Sequence, residues 1–422
     1  MRHLLIALCL AFSTQLHAQF DQHFSDSTLR LDYVLSGTNR TQHIALEKIA
    51  MTRHWYGRRN HLDSLLLRGN GRLWVMDAET GDTLYGHSFS TLFQEWQSTE
   101  EATRLERAFH ESYLIPLPKR PVSIAVSLSD THNRETSRLT HRLDPTDILI
   151  RDHTQQQVPP YKYMLKNGDS REKLDIAFVA EGYAKEDTAL FYADCQRAMD
   201  AILSYEPFKS EAKRLNFIAV PTESLQSGIS IPHKKQWLDT ALGSHYDTFY
   251  SQRYLTVPFI NSLHDALRGV PYESIIVLAN TDNYGGGGIY NSYLIAAAHH
   301  PTMRPVLVHE FGHSFAGLGD EYFYDDQYEA MYPADTEPWE PNLTTNVNFA
   351  AKWADMLQDK HLPSKADGKK IYTKVGRFEG GGYQSKGVYR PVQDCRMRTN
   401  EAPNFCPVCS RAIRRMIHYL TD

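Results

Sequence analysis

The stretch Val306-Leu-Val-His309-Glu310-Phe-Gly-His313-Ser-Phe315 holds the side chains best suited to chemistry. On a helix, residues four apart share a face. His309 and His313 can therefore offer two imidazoles to one Zn2+. Glu310 lies beside His309, within reach of a water activated by that ion, where a carboxylate acts as general base. The ion lowers the water's pKa toward neutrality and readies it to attack a peptide carbonyl. An isolated HExxH recurs by chance in unrelated chains, so its surroundings carry weight. Here it sits in an apolar run, as expected of a buried central helix.

Zinc also needs a third protein ligand. Gly317 and Gly319 can end the helix and turn the chain back, and Asp320-Glu321-Tyr322 follows at once. A metzincin-type extension would put histidine at the position of Gly319. Asp320 is one residue further and is the preferred ligand. Glu321 is the second choice, and Glu329, from a later helix, is a third. Tyr284-Gly-Gly-Gly-Gly-Ile-Tyr-Asn-Ser292 precedes the helix. Its glycines allow a second backbone to come close, as in an edge strand that pairs with substrate. No Lys-Ser/Thr pair follows, which argues against a phosphate loop. Met397 is a candidate for a methionine turn beneath the histidines. Tyr383 or Tyr389 could stabilise an oxyanion. Cys406-Pro-Val-Cys409 is half of a zinc knuckle, but only Cys395 is near enough in sequence to join it. In an exported chain the expectation is a disulfide from Cys395 to Cys406 or Cys409.

His309-Glu-Phe-Gly-His-Ser-Phe-Ala-Gly-Leu-Gly-Asp-Glu-Tyr322 resembles the active-site segment of the bacterial IgA-peptidase family of zinc metallopeptidases. Asp175-Ile-Ala-Phe-Val-Ala-Glu-Gly-Tyr183, Asn291-Ser292 with the glycines before it, Cys395-Arg-Met-Arg398 and Phe405-Cys-Pro-Val-Cys409 are similar to it as well. The resemblance spans roughly residues 170–415. It implies a zincin-like catalytic domain with aspartate as the third ligand, preceded by an N-terminal β domain.

The elements that must position these residues fall into two patterns. Residues 1–18 read as a signal peptide: Arg2 and His3, the apolar run Leu4 to Phe12, then Leu16-His-Ala18. From 20 to 150 the chain alternates, as in Thr28-Leu-Arg-Leu-Asp-Tyr-Val-Leu35 and Pro121-Val-Ser-Ile-Ala-Val-Ser-Leu128, the period of half-buried strands. Leu65-Leu-Leu67 is expected to be another strand, before the turn at Gly69-Asn-Gly71. Together they predict an all-β, sandwich-like accessory domain. Residues 151–172, polar with Pro159-Pro160, are expected as the linker. After it, apolar runs at Leu174–Ala180, Leu215–Val220 and Ser274–Ala279 alternate with helical spacing, the mark of an α/β layered domain over 173–422.

The chain has 422 residues, with Lys+Arg 45 against Asp+Glu 50 and a net charge of -5. That balance lacks the basic field that nucleic-acid binding needs. No run after the leader approaches the length of a membrane span. The reading is an α+β, exported zinc endopeptidase, whether secreted, periplasmic or at the cell surface, acting on protein or peptide substrates. Its rivals are a zinc amidase acting on cell-wall peptides and a catalytically silent binding protein on the same scaffold. Every proposed ligand lies after residue 300, so the chemistry is expected to belong to the second half alone.

Overall fold

A computed structural model of the chain describes residues 19–325, 331–357 and 374–422. The leader expected at 1–18 lies outside them. Two four-stranded sheets come first. One has the order β5-β1-β2-β8, from β1 (Phe24–Gly37), β2 (Gln42–Arg53), β5 (Arg107–Pro118) and β8 (Arg151–Asp152). The other has the order β4-β3-β6-β7, from β3 (Gly71–Asp77), β4 (Thr83–Phe89), β6 (Val122–Ser129) and β7 (Glu135–Leu143). Leu29, Leu31, Tyr33 and Leu35 alternate along β1 and meet Leu73, Val75, Ile124, Val126 and Leu128 of the facing sheet in one core. Period-two patterning thus becomes a sandwich, since each strand buries one face. Leu65–Leu67 is irregular rather than a strand. Leu66 and Leu67 are drawn out of the sheet because they pack on the core of the second half.

The 151–172 segment lends a short strand to each half: β8, and β9 (Lys162–Leu165), which pairs with β11 (Leu215–Val220). The second half is built on a six-stranded sheet of order β13-β14-β12-β10-β11-β9. Its central strands β10 (Leu174–Glu181), β11 (Leu215–Val220), β12 (Ser274–Ala279) and β14 (Tyr293–Ala297) run parallel, while β13 (Gly286–Ile289) is antiparallel at the edge. Continuous apolar runs are what a parallel sheet covered on both faces demands. Ile176 and Phe178 face the helices α2 (Thr188–Leu203), α4 (Met303–Ala316) and α5 (Pro407–Thr421). Ala177 and Val179 face the other way, onto Leu255, Val257 and Leu263. Two short helices complete the layers, α1 (Leu92–Gln97) in the sandwich and α3 (Ile260–Ala266) in the second half. A small sheet of β15 (Phe323–Tyr324), β16 (Phe378–Gly381) and β17 (Tyr383–Arg390) closes over the end of α4.

The halves meet directly. Ser90 N–H donates to Tyr290 O at 3.0 Å, Asn291 Nδ2 to Ser88 O at 2.8 Å and Trp339 Nε1 to Asn70 Oδ1 at 2.7 Å. Buried Arg30 reaches across to Asp265 at 2.6 Å. Among the described residues no helix is long and apolar enough to cross a membrane.

Candidate metal centre

Helix α4 is buried over most of its surface, at Val306, Leu307, Val308, Phe311, Ser314 and Phe315, while His309, Glu310 and His313 turn toward a partly open side. Gly317 ends it in the left-handed region, with φ +58°. Its N–H and that of Leu318 close back on His313 and Gly312, at 3.0 and 3.1 Å, a glycine-dependent stop. A β-carbon at Gly317 would strike Trp339 and Leu67. The next turn is fixed by Asn342, whose side chain accepts from Gly319 N at 2.7 Å and donates to Gly319 O at 2.9 Å. That turn brings Asp320 back under the helix.

Three ligand atoms then converge. His309 Nε2 lies 3.0 Å from Asp320 Oδ1 and 3.0 Å from His313 Nε2, and His313 Nε2 lies 3.2 Å from Asp320 Oδ1. The opposite ring nitrogens face carbonyl oxygens: His309 Nδ1 meets Arg396 O at 2.9 Å and His313 Nδ1 meets Leu318 O at 2.5 Å. A carbonyl can only accept, so each Nδ1 carries a hydrogen and each Nε2 is the atom left to offer a lone pair to a cation. Two imidazole nitrogens and a carboxylate oxygen aimed at one point need a positive charge among them, which a proton or a metal ion can supply. Burial disfavours a charged His313, but Asp320 beside it outweighs that and raises the imidazole to about 9. The same contacts, against the pull of burial, hold the Asp320 carboxyl far below its usual range. A positive charge belongs at this point, and the donor set of two imidazoles and a carboxylate suits a divalent transition ion.

Around this point Glu310 lies over β13. A β-carbon on Gly288 would come within 2.5 Å of Glu310 O and 3.2 Å of its Oε2. Burial raises the Glu310 carboxyl, opposed by His309 and His313. The glycine run is thus explained by close approach. Gly286 and Gly288 face Glu310, while Gly287 faces the Tyr254 ring. β13 is the outermost strand, and Tyr254 bridges Gly286 at its start.

Of the two tyrosines singled out from sequence, Tyr383 is at the site and Tyr389 is not. Tyr383 Oη donates to Asp320 Oδ2 and also meets Tyr322 Oη at 3.5 Å. Burial and the carboxylate push its phenol well up, so it stays protonated and can donate. Tyr389 instead pairs with Thr344 and carries Arg377 over its ring. Met397 is fully buried beneath α4, where a β-carbon at Gly312 would lie 2.6 Å from its Sδ.

Glu321 turns away from the three ligand atoms, to Asn342 Nδ2 at 3.0 Å and Cys409 Sγ at 3.2 Å. Glu329 lies outside the described residues. Cys195, Cys395, Cys406 and Cys409 are all free and buried. The expected disulfide is absent: the Sγ atoms of Cys395 and Cys409 stand 3.8 Å apart, and the three neighbouring thiols share their space with Glu321 instead.

Sequence reading missed three residues near the centre. Asn342 fixes the Asp320 turn. Arg253 contributes a positive field at Glu310. Glu95 comes from helix α1 of the sandwich, hydrogen-bonded to Tyr254 Oη; burial raises it to about 7, with Glu310 and Asp320 adding to the rise. None stands in a recognisable motif, because each reaches the site only through long-range packing.

Comparison with protein families agrees with this geometry. The family described as IgA Peptidase M64 matches residues 163–370 and 364–417, more than half of the chain. A second, described as Peptidase M64 N-terminus, matches residues 19–140, the sandwich. A search of curated proteins returned no match. A chain matched along both halves, with a convergent His-His-Asp cluster in the second, belongs to the IgA peptidase M64 family and is a metallopeptidase.

Proposed function

We propose that the chain is an exported zinc-dependent endopeptidase, with His309, His313 and Asp320 as metal ligands and Glu310 as general base. The observation that carries this reading is the convergence of two Nε2 atoms and Asp320 Oδ1 within 3.2 Å of one another, beside Glu310. Zinc bound there supplies Lewis acidity, lowering the pKa of water and polarising a carbonyl.

The chain's own groups do the rest. The carbonyls of Arg396 and Leu318 fix both rings with Nε2 inward. Tyr383 occupies the second oxygen of Asp320, leaving Oδ1 for the ion. Glu310, one residue from His309, accepts a proton from water and passes it to the leaving amine, as general acid–base catalysis requires. Arg253 supplies a positive field there. The edge of β13 beyond Gly286 offers backbone groups to an extended peptide, by strand addition. Glu95, hydrogen-bonded to Tyr254, lies close enough to interact electrostatically with His313, Glu310 and Asp320, so the sandwich reaches the centre. The N-terminal boundary near 150 and a leader at 1–18 remain part of this proposal.

The test is metal analysis beside cleavage of a peptide library by the purified chain. Zinc with cleavage inside protein-derived peptides is expected. Turnover confined to cell-wall peptides would replace the endopeptidase by an amidase. A zinc-loaded protein that cleaves neither would make it a binding protein.

A further inference from the structure

The second cluster of metal-ligating side chains is three cysteines and a glutamate, on the other side of the chain from Asp320. Cys395, Cys406, Cys409 and Glu321 are 0, 1, 0 and 0% exposed. Their Sγ and carboxylate atoms all lie within 4.8 Å of one another. Cys395 Sγ is 3.8 Å from Cys409 Sγ, which is 3.2 Å from Glu321 Oε1. We propose that these four residues hold a second, structural zinc ion, distinct from the one at His309, His313 and Asp320.

Several observations support thiolate ligands rather than inert thiols. Backbone N–H groups point at sulfur: Cys406 N donates to Cys395 Sγ at 3.2 Å and Cys409 N to Cys406 Sγ at 3.4 Å. Cys406 caps the N-terminus of the fifteen-residue helix α5, with Pro407 in its first turn, where the helix dipole favours negative charge. Asn342 Nδ2 donates to Glu321 Oε1 at 3.0 Å, and buried Arg390 adds a positive field. Glu321 Oε2 is buried with no hydrogen-bond partner.

The count decides against a disulfide. Three sulfurs cannot all pair. A bond between any two leaves a third buried thiol beside the buried Glu321 carboxyl, with neither of them given a strong partner. A thiophilic divalent cation satisfies all four groups at once. Three thiolates and a carboxylate, with no solvent-facing position, suit zinc in a closed site. The ion would tie together the turn after α4, the segment carrying Met397 and the start of α5, all three of which support the first centre. Its loss would therefore loosen that centre without touching a reacting atom.

The decisive sample is the full chain carrying His309→Ala and His313→Ala, which removes the first site and leaves every cysteine. After desalting, elemental analysis is expected to find one zinc per chain, against two in the unaltered protein. X-ray absorption of that zinc should show sulfur neighbours at about 2.3 Å. Cobalt exchanged into the variant should give sulfur-to-cobalt charge-transfer bands, and the denatured chain should titrate every cysteine of its sequence as a free thiol once chelator is added, five where Cys9 is present and four where residues 1–18 are not. A variant free of metal would overturn the proposal. So would zinc without sulfur neighbours, or an intact mass lighter by two hydrogens, which would mean a disulfide. Because wild-type and variant are each read for metal, failure of the first site cannot be mistaken for failure of the second.

Discussion

Asp320 and Glu321 are joined by one peptide bond and serve two different clusters. The cluster on the Asp320 side keeps a wet face: the His309 and His313 side chains are 14 and 17% exposed. The cluster on the Glu321 side is sealed, with each of its four residues at most 1% exposed. The first brings three donors to a partly open face; the second brings four together in a sealed one. That is the physical difference between a site that can admit a reactant and one that can only hold the chain. The two side chains leave the turn in different directions, so one turn contributes a member to each cluster. Glu321 N–H donates to Met397 O at 2.8 Å, which locks that turn to the segment beneath the helix.

The sharpest way to break the comparison is to remove the chemistry while leaving both clusters. Glu310→Gln keeps size and hydrogen bonding but cannot take a proton. Peptide turnover should fall by about 10²–10⁴-fold, the usual worth of a general base. Metal content and thermal midpoint should stay as in the unaltered protein. Cleavage at the original rate would mean that another group accepts the proton.

The adjacent pair then separates the two roles. Asp320→Ala should abolish turnover and lose the metal at the histidines, with a small change in thermal midpoint. Glu321→Ala should retain that metal but lower the midpoint, because metal ligation at a closed site is folding energy. A loss of about 2 kcal/mol corresponds to a shift of roughly 2–3 °C in a chain of this size. If the two substitutions gave the same pattern, the clusters would be one functional unit.

Much of the first cluster was legible in sequence, and little of what surrounds it. HExxH at helical spacing followed by two glycines and an aspartate is a local pattern, written within fourteen residues. The parallel sheet was legible too, since Leu174–Ala180, Leu215–Val220 and Ser274–Ala279 are buried on both faces and so are apolar throughout. Tyr383 could not be separated from Tyr389 because the choice depends on register: Phe323 pairs with Tyr383, which sets its ring beside Asp320. The cysteine cluster was misread as a disulfide because its fourth member, Glu321, lies 88 residues before Cys409. Its adjacency to Asp320 made it look like a rival for the first site. Glu95 was invisible for a similar reason. Nothing in an alternating β domain announces that one of its short helices reaches a distant cleft.

Tyr383→Phe probes the support of the open site. The ring remains and the donor to Asp320 Oδ2 is lost. Removing such a partner usually costs about 10–100-fold in metal affinity or activity. Competition with a chelator should show weaker retention, and saturating zinc should restore most of the turnover. Loss of turnover that zinc does not restore would instead give Tyr383 contact with the substrate. Tyr389→Phe, away from both clusters, should change neither.

The smallest effect belongs to a charge that supports neither cluster. Asp26, on β1, meets Arg171 at 2.9 Å and His54 at 3.2 Å and also pairs with Arg59, so it ties the sandwich to the segment that enters the second half. Burial works against its charge, but the hydrogen bonds from His54, the Trp55 N–H and Arg59 prevail and lower its carboxyl to about 2, from 3.8. A carboxyl whose folded pKa is depressed stabilises the fold above its unfolded value. That contribution disappears as pH falls through the folded one. Asp26→Asn should therefore lower the thermal midpoint slightly at neutral pH, and the gap should close between about pH 4 and pH 2. The side chain is a third exposed, and exposed pairs contribute at most about 1 kcal/mol. Neither turnover nor metal content should move, since Asp26 touches no member of either cluster. A gap that persisted unchanged down to pH 2 would show that Asp26 acts through packing rather than through its charge.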